Sequence, residues 1–266
     1  MYKNDSEKGV VETDGGKIYR AVADRLTGRS LSGRFCTAVI VAAGNGTRMG
    51  NTGTPKQLLP LLGKPVLIRS AEAFETCGFI NEIVIVTRKE DVRAVWELIE
   101  RYGLKKVTKT VVGGQTRQES TLAGFEAADK KCDLIAFHDA ARCLVTPEMI
   151  EKVFREALRH GAAIAACRAT DTVKIENGRG MIASTPERAL AWYAQTPQVF
   201  KKDLYLTAAY YCKKKEIACT DDASLAEAAG FPVRLVDCGN QNIKLTTPSD
   251  IFTAEAIIKA AEEESK

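Results

Sequence analysis

A run of small residues followed by two cations is the first feature with chemical potential. Ala42-Ala43-Gly44-Asn45-Gly46 leads to Arg48 and, eight residues further, to Lys56 in Pro55-Lys56-Gln57. Glycines behind an apolar run expose backbone N–H groups to an anion, and the lack of a Cβ permits close approach. Two cations beside such a loop suit a triphosphate whose leaving group must be neutralised as it departs. A second group is His138-Asp139-Ala140-Ala141-Arg142. Its aspartate can help hold Mg²⁺, the usual counterion of a nucleoside triphosphate. Alternatively, Arg142 pairs with Asp139 and only shapes the loop. A third group, 113–120, reads GGQTRQES and offers polar atoms to a base or ribose, or else a routine helix cap. His138 and His160 are the only histidines, so no His-rich metal site can be built, and His138 reads as a structural, hydrogen-bonded residue.

Competing phosphate chemistries fit less well. The spacing GxGxR lacks the third glycine of a dinucleotide fingerprint, and the next strand passes from Val86 to Thr87 and Arg88 with no acidic residue at its end. No Gly-Lys-Ser/Thr follows, which removes the Walker loop. The bland alternative is a glycine loop with two solvated cations.

These residues need a scaffold, and the hydrophobic pattern supplies one. Residues 38–41 form a continuous apolar run, as in a buried parallel strand opening into a glycine turn. Val66, Leu67, Ala71 and Phe74 recur at helical spacing before Gly78, and 82–86 reads as a strand. Val92, Val95, Trp96 and Ile99 make another helical stripe closed by Gly103. A strand at 107–112, a helix at 120–128 and a strand at 134–137 follow. Thr146-Pro147 starts a helix to 159, with a hydroxyl cap and proline at the first position, and 162–166 is a strand. The alternation predicts an open, mostly parallel sheet covered on both faces.

Regularity lapses over 168–192. Segments 173–175 and 180–184, joined through Glu176-Asn177-Gly178-Arg179, predict a small hairpin with little core of its own, an arm reaching toward a partner subunit. Helices near 204–213 and 221–229, strands at 233–236 and 243–245, and a last helix over 248–262 complete the chain. Residues 1–34 are polar and weakly patterned. They read as an extension outside the main fold, with a short helix over 19–26, and the domain proper occupies 35–266.

The composition is that of an ordinary globular protein, with 45% hydrophobic and 27% charged residues in 266. Thirty-eight basic against thirty-four acidic residues leave +4, too little for the concentrated basic footprint of a nucleic-acid binder. Eight scattered cysteines form no CxxC pair, which argues against a zinc knuckle and for buried thiols in a reducing compartment. No apolar stretch approaches the roughly 20 residues of a membrane helix, and the start MYKNDSEKG lacks a secretory pattern. A cytoplasmic setting is expected.

Taken together, the motifs resemble the 2-C-methyl-D-erythritol 4-phosphate cytidylyltransferases of the non-mevalonate isoprenoid pathway. The matching blocks are AVIVAAGNGTRMG with TPKQ (38–50, 54–57), GGQTRQES (113–120), HDAAR (138–142), TDTVK (170–174), AQTPQVF (194–200), TDDAS (220–224) and NIKLTTPSD (242–250). They follow the family's order across 36–262. The resemblance implies a Rossmann-like, three-layer nucleotidyltransferase fold with a projecting β-arm. It also implies CTP bound by the backbone of Ala42, Ala43, Gly44 and Gly46, with Gly114, Gln115 and Ser120 near the cytosine and ribose. Arg48 and Lys56 would stabilise the transition state and the departing pyrophosphate, and Asp139 would sit beside Mg²⁺. Thr172, Arg188, Thr196 and Lys244 would hold the small polyol phosphate, with Arg188 and Lys244 counted among the catalytic groups and Arg188 supplied by the other subunit of a homodimer. Cys143, Cys167-Arg168 and Ala191 depart from the family pattern without removing a charged group.

The nearest rival is a ribitol-5-phosphate cytidylyltransferase, against which AAG, HDAAR and AQTPQ lean. A sugar-1-phosphate nucleotidylyltransferase carries a different glycine signature. A dehydrogenase fails on the missing glycine. A dead nucleotide sensor would be expected to lose one of Arg48, Lys56, Asp139, Arg188 or Lys244, all of which are present.

Overall fold

A computed structural model describes residues 33–44 and 55–264. The apolar run becomes β1 (Cys36–Val41), and a small ribbon of β2 (Pro60–Leu61) and β3 (Lys64–Pro65) leads to α1 (Val66–Thr76). Then come β4 (Glu82–Thr87), α2 (Val92–Tyr102), β5 (Val107–Val112) and α3 (Arg117–Ala127). After these follow β6 (Leu134–Asp139), α4 (Pro147–His160) and β7 (Ala162–Arg168). The expected hairpin is β8 (Ile175–Glu176) with β9 (Ile182–Ser184), shorter than its sequence pattern. Beyond it lie β10 (Trp192–Lys201), α5 (Lys202–Lys215), α6 (Asp222–Ala228), β11 (Arg234–Asp237) and α7 (Pro248–Glu264).

Seven strands form one sheet in the order β11-β7-β10-β6-β1-β4-β5. β1 pairs in parallel with both β4 and β6, and β10 runs antiparallel to both of its neighbours, β6 and β7. The pleat sorts the buried strand residues between two helical layers. Ala38, Ile40 and Ala136 join Phe74 of α1, Val95 of α2 and Phe154 of α4 in one core. Val39, Ile135 and Phe137 join Phe125 of α3, Tyr205 of α5 and Leu225 of α6 in the other. The Tyr205 ring lies 4.4 Å, centroid to centroid, from Phe137. Each fully buried Val, Leu, Ile or Phe side chain among them contributes about 1.5–3 kcal/mol. Two cores back to back on one sheet make the three-layer fold that the alternation predicts.

One expectation is corrected. Residues 243–245 are not a strand: the segment makes a single backbone–backbone bond to the body, Leu245 N–H to the Ala141 carbonyl at 2.9 Å, besides its side-chain contacts. In the other direction, β10 is a strand that the sequence pattern does not announce. Gln195, Thr196, Pro197 and Gln198 show no apolar run, yet all four are buried within the sheet. The strand tolerates Pro197 because its register shifts between Ala194 and Gln198, where the Thr196–Pro197 peptide is cis. The helix starts are as expected at Thr146, whose hydroxyl accepts the Met149 N–H, with Pro147 behind it. At α7 the cap is Asp250, whose Oδ2 accepts from the N–H groups of Thr246 and Thr247.

Candidate active site

A cavity of about 620 Å³ opens at the carboxyl ends of β1, β4, β5 and β6, the edge where open parallel sheets place ligands. One wall is the chain leaving β1. Ala42 donates its N–H to the Val86 carbonyl at 2.7 Å, and Ala42, Ala43 and Gly44 line the space. Gly46 and Arg48 lie outside the described residues. The wall resumes at Lys56, in a short 3₁₀ turn, whose Nζ donates to the Leu245 carbonyl at 3.2 Å.

The opposite wall is the turn from β5 into α3. Thr116 caps the helix by accepting the Glu119 N–H, and the Glu119 carboxylate accepts from the N–H groups of Gln115 and Thr116. Ser120 Oγ accepts the Gly114 N–H at 3.2 Å. Gly113 is required by close approach: a Cβ there would lie 2.5 Å from the Ala43 Cβ and 2.8 Å from Ser120 Oγ. The two walls therefore touch at this glycine, and its substitution would push them apart.

The floor is charged. Asp139, at the end of β6, accepts from Lys244 Nζ at 2.5 Å through Oδ2 and from Arg117 Nε at 3.1 Å through Oδ1. Burial pushes its carboxyl upward, but Arg117 and Lys244 outweigh that and hold it well below the usual carboxylate range. Arg117 also donates through Nη1 to Asp222 Oδ2 at 2.8 Å, and Tyr205 OH donates to Asp222 Oδ1. Asp222 is buried, which raises its pKa against the pull of Arg117. Arg117 thus bridges two carboxylates from β6 and α6. Neither Arg117 nor Asp222 stands out in the sequence reading, although a signal exists. A cation in the first turn of a helix opposes the macrodipole, so Arg117 at that position implies a carboxylate partner from elsewhere.

Behind the floor, the Thr196 hydroxyl accepts the Asp139 N–H at 3.0 Å and lies 3.0 Å from His138 Nδ1. Its own proton then goes to Nδ1, so His138 carries its proton on Nε2 and donates it to the Arg142 carbonyl at 3.2 Å. Complete burial lowers His138 to about 3, a neutral structural imidazole as the sequence implies. Arg142 does not pair with Asp139. Its Nη1 and Nη2 donate to the carbonyls of Asn242 and Ala194, tying the 242–245 segment to β10.

The cavity therefore gathers Ala42, Ala43, Gly44, Lys56, Gly114, Gln115, Ser120, Asp139 and Lys244 on its walls. Three residues expected to hold the acceptor stand apart from it in a single chain. Thr196 lies behind the floor with its hydroxyl already bonded, while Thr172 and Arg188 are exposed on the arm.

Comparison with known proteins gives a consistent picture. The family described as "IspD: 2-C-methyl-D-erythritol 4-phosphate cytidylyltransferase" matches residues 36–260. The 2-C-methyl-D-erythritol 4-phosphate cytidylyltransferase of Caldanaerobacter subterraneus subsp. tengcongensis is 40% identical over 224 residues, 84% of this chain and 98% of that protein. The enzyme of the same name from Clostridium botulinum strain Loch Maree is 39% identical, over 84% of this chain and 97% of its own. Among solved structures, 4-diphosphocytidyl-2C-methyl-D-erythritol synthase from Anaerococcus prevotii superimposes with a TM-score of 0.76 at 31% identity, covering 86% of this chain and 98% of that one.

Proposed function

The chain belongs to the 2-C-methyl-D-erythritol 4-phosphate cytidylyltransferase family, and from that premise we propose that the cavity above Asp139 is where its two substrates meet. The enzyme transfers the cytidylyl group of CTP to 2-C-methyl-D-erythritol 4-phosphate, giving 4-diphosphocytidyl-2-C-methyl-D-erythritol and pyrophosphate, a step toward isoprenoid precursors. The ribitol-phosphate alternative finds no support among these relatives.

The carrying observation is the Asp139 carboxylate, held in place by Lys244 and Arg117 on the floor of the cavity that Ala43 and Gly44 wall. An acceptor phosphate is anionic at neutral pH and needs no strong base. One of its oxygens attacks the α-phosphorus of CTP, and the bond to the β-phosphate bridging oxygen breaks in line with it. The residues have only to align the two anions and offset the charge growing on the leaving group. The backbone of Ala43 and Gly44 and the Lys56 ammonium line the space where the triphosphate would lie, the Ala42 N–H being spent on the Val86 carbonyl, and Arg48 is assigned beside them by motif. Gly114, Gln115 and Ser120 offer the polar edge for cytosine and ribose. Lys244 serves the acceptor phosphate.

Mg²⁺ fits this donor set in one way only. Among the described residues no cluster of three acidic, histidine or cysteine side chains exists, and both Asp139 oxygens already accept from cations. One carboxylate is enough for Mg²⁺ when phosphate oxygens and water complete the octahedron. Asp139 would hold the ion, which when bound neutralises triphosphate charge.

The acceptor half of the site is proposed to be completed by a second copy of the chain. Residues 174–190 are exposed throughout, Ile175, Met181, Ile182 and Leu190 among them. Apolar surface of this kind marks an interface, and Thr172 and Arg188 lie on the same arm. A cytoplasmic setting is supported by eight free thiols. Among the described residues no helix is long and apolar enough to cross a membrane. The test is pyrophosphate release by the purified protein with CTP and each acceptor in turn. Turnover with methylerythritol phosphate and little with ribitol 5-phosphate is expected, and the reverse preference would reject the assignment.

A further inference from the structure

All eight cysteines are described, as free thiols. Seven are buried, and Cys219 alone is partly exposed. Its Sγ lies 3.9 Å from the Sγ of Cys212. The contact follows from how α5 ends. Glu216 adopts a left-handed conformation at φ 54°, and the Ile217 N–H returns to the Cys212 carbonyl at 3.0 Å. That reversal folds the loop back over the helix, so residue 219 lands on residue 212. Cys212 is fully buried, its Sγ 3.5 Å from the Leu225 carbonyl of α6.

The same loop leads straight to the floor of the active site. Two residues after Cys219, Asp221 caps α6 by accepting the Ser224 N–H, and it also accepts from Gln198 Nε2 of β10 at 2.8 Å. The next residue, Asp222, holds Arg117, which holds Asp139.

We propose that Cys212 and Cys219 form an oxidisable dithiol, a modification site whose closure to a disulfide draws on the loop bearing Asp221 and Asp222 and lowers turnover at the CTP site. The effect on turnover rests on the function proposed above, whereas the bond itself does not. The oxidant class is a small disulfide such as oxidised glutathione. The Cys219 thiolate attacks one of its sulfurs, forming a mixed disulfide and releasing one glutathione thiolate. Cys212 then loses its proton and attacks Cys219 Sγ, breaking the mixed bond and releasing the second glutathione. Two protein thiols are oxidised, one disulfide is reduced to two thiols, and the balance closes. Solvent access selects Cys219 as the attacking group, while burial pushes Cys212 up to about 11 and makes it the resolving one.

Geometry decides where the strain goes. A disulfide needs a sulfur separation of about 2.05 Å, so the 3.9 Å gap must close. Cys212 is packed inside the α5–α6 core and cannot move far. The displacement falls on Cys219 and its continuation into Asp221. In a reducing compartment such a bond is transient, a sensor of oxidative conditions and not a staple.

The experiment treats the full chain with oxidised glutathione and reads intact mass, tryptic peptides and turnover. Lys213, Lys214 and Lys215 separate the two cysteines, so trypsin converts the bond into two joined peptides. The expected product has lost two hydrogens, carries the 212–219 link, turns over several-fold more slowly, and recovers with dithiothreitol. Cys219→Ser should stay reduced and keep its turnover under the same treatment, and Cys212→Ser should stop at a glutathione adduct on Cys219. A lasting adduct on Cys219 in the unsubstituted chain, a link between other cysteines, or no reaction overturns the dithiol. Full linkage with unchanged turnover overturns the coupling. A reduced enzyme inactive with CTP would count against the function and leave the mass result intact.

Discussion

Lys56 meets the Leu245 carbonyl at the cavity wall through its ammonium, while its turn is held to the body by Leu58 on the core. Its replacement should therefore separate chemistry from stability. Lys56→Ala is expected to lower turnover by about 10²-fold or more, the scale seen when an electrostatic stabiliser of developing charge is lost, while the thermal midpoint stays close to that of the parent. Steady-state kinetics and a melting curve on the same sample check both halves, and near-parental turnover would remove Lys56 from the mechanism. His138 gives the opposite separation, an effect on stability with none on proton transfer. Burial holds it at about 3, below its ordinary 6.5, so between those values the unfolded chain takes up a proton that the native chain refuses. Its contribution is fully present above about pH 6.5 and falls by about 1.4 kcal/mol for each pH unit below that, down to about pH 3. Urea unfolding over this window should show the decline, and His138→Gln should flatten it. Lys56 and Asp139 drew attention by type and setting, Lys244 only through the family resemblance, and all three line the cavity. The Arg117 bridge was not legible, because Asp139 and Asp222 reach it across 22 and 105 positions of sequence, which no local spacing encodes.

At the scale of elements, the two loops that would enclose the nucleotide are held at a fixed separation by a missing side chain. Gly113 follows β5, and a methyl group there would meet Ala43 and Ser120 well inside contact distance. Gly113→Ala should raise the KM for CTP more than it lowers kcat, because it widens the slot without touching Lys56, Asp139 or Lys244. Kinetics with CTP varied at saturating acceptor test this, and an unchanged KM would mean that the loops adjust independently. The parallel units were readable from their apolar runs and caps, since burial on both faces leaves nearly continuous hydrophobic strands. β10 was unreadable for the converse reason. Its buried polar side chains are satisfied mainly by distant partners: Gln195 Nε2 donates to the Gly239 carbonyl, Asn242 Nδ2 to Gln195 Oε1, and Gln198 Nε2 to Asp221. A polar strand is acceptable in a core when such partners exist, and the partners belong to tertiary structure.

For the molecule as a whole, the arm is anchored at its root, where the Arg168 guanidinium stacks 4.4 Å from the Trp192 ring and donates to the Ala189 carbonyl. If the arm completes a neighbour's site, Arg188→Ala and Lys56→Ala, each inactive alone, should restore activity when mixed under subunit exchange. One site of the mixed dimer would carry both defects and the other neither. Absence of recovery in verified heterodimers would place both residues in one subunit's site. Arg34 pairs with Asp133, and the Phe35 N–H donates to the same carboxylate at 3.0 Å, so contacts with the body lie on both sides of the expected 34/35 division. A chain starting at Gly33 should keep its turnover and melting temperature, whereas one starting at Cys36 should melt earlier. Equal melting would make the Asp133 contacts dispensable. The antiparallel strand at the centre of the sheet, finally, imposes an order on biosynthesis. β10 belongs between β6 and β7 but is made after both. While the ribosome is adding residues 169–191, the pairs among β1, β4, β5 and β6 can already form. β6 meanwhile presents a bare edge, and β7, whose partners β10 and β11 both come later, has neither edge paired. The sheet cannot grow past β6 until Trp192–Lys201 emerges, and these edges are what a chaperone or a neighbouring nascent copy would meet first.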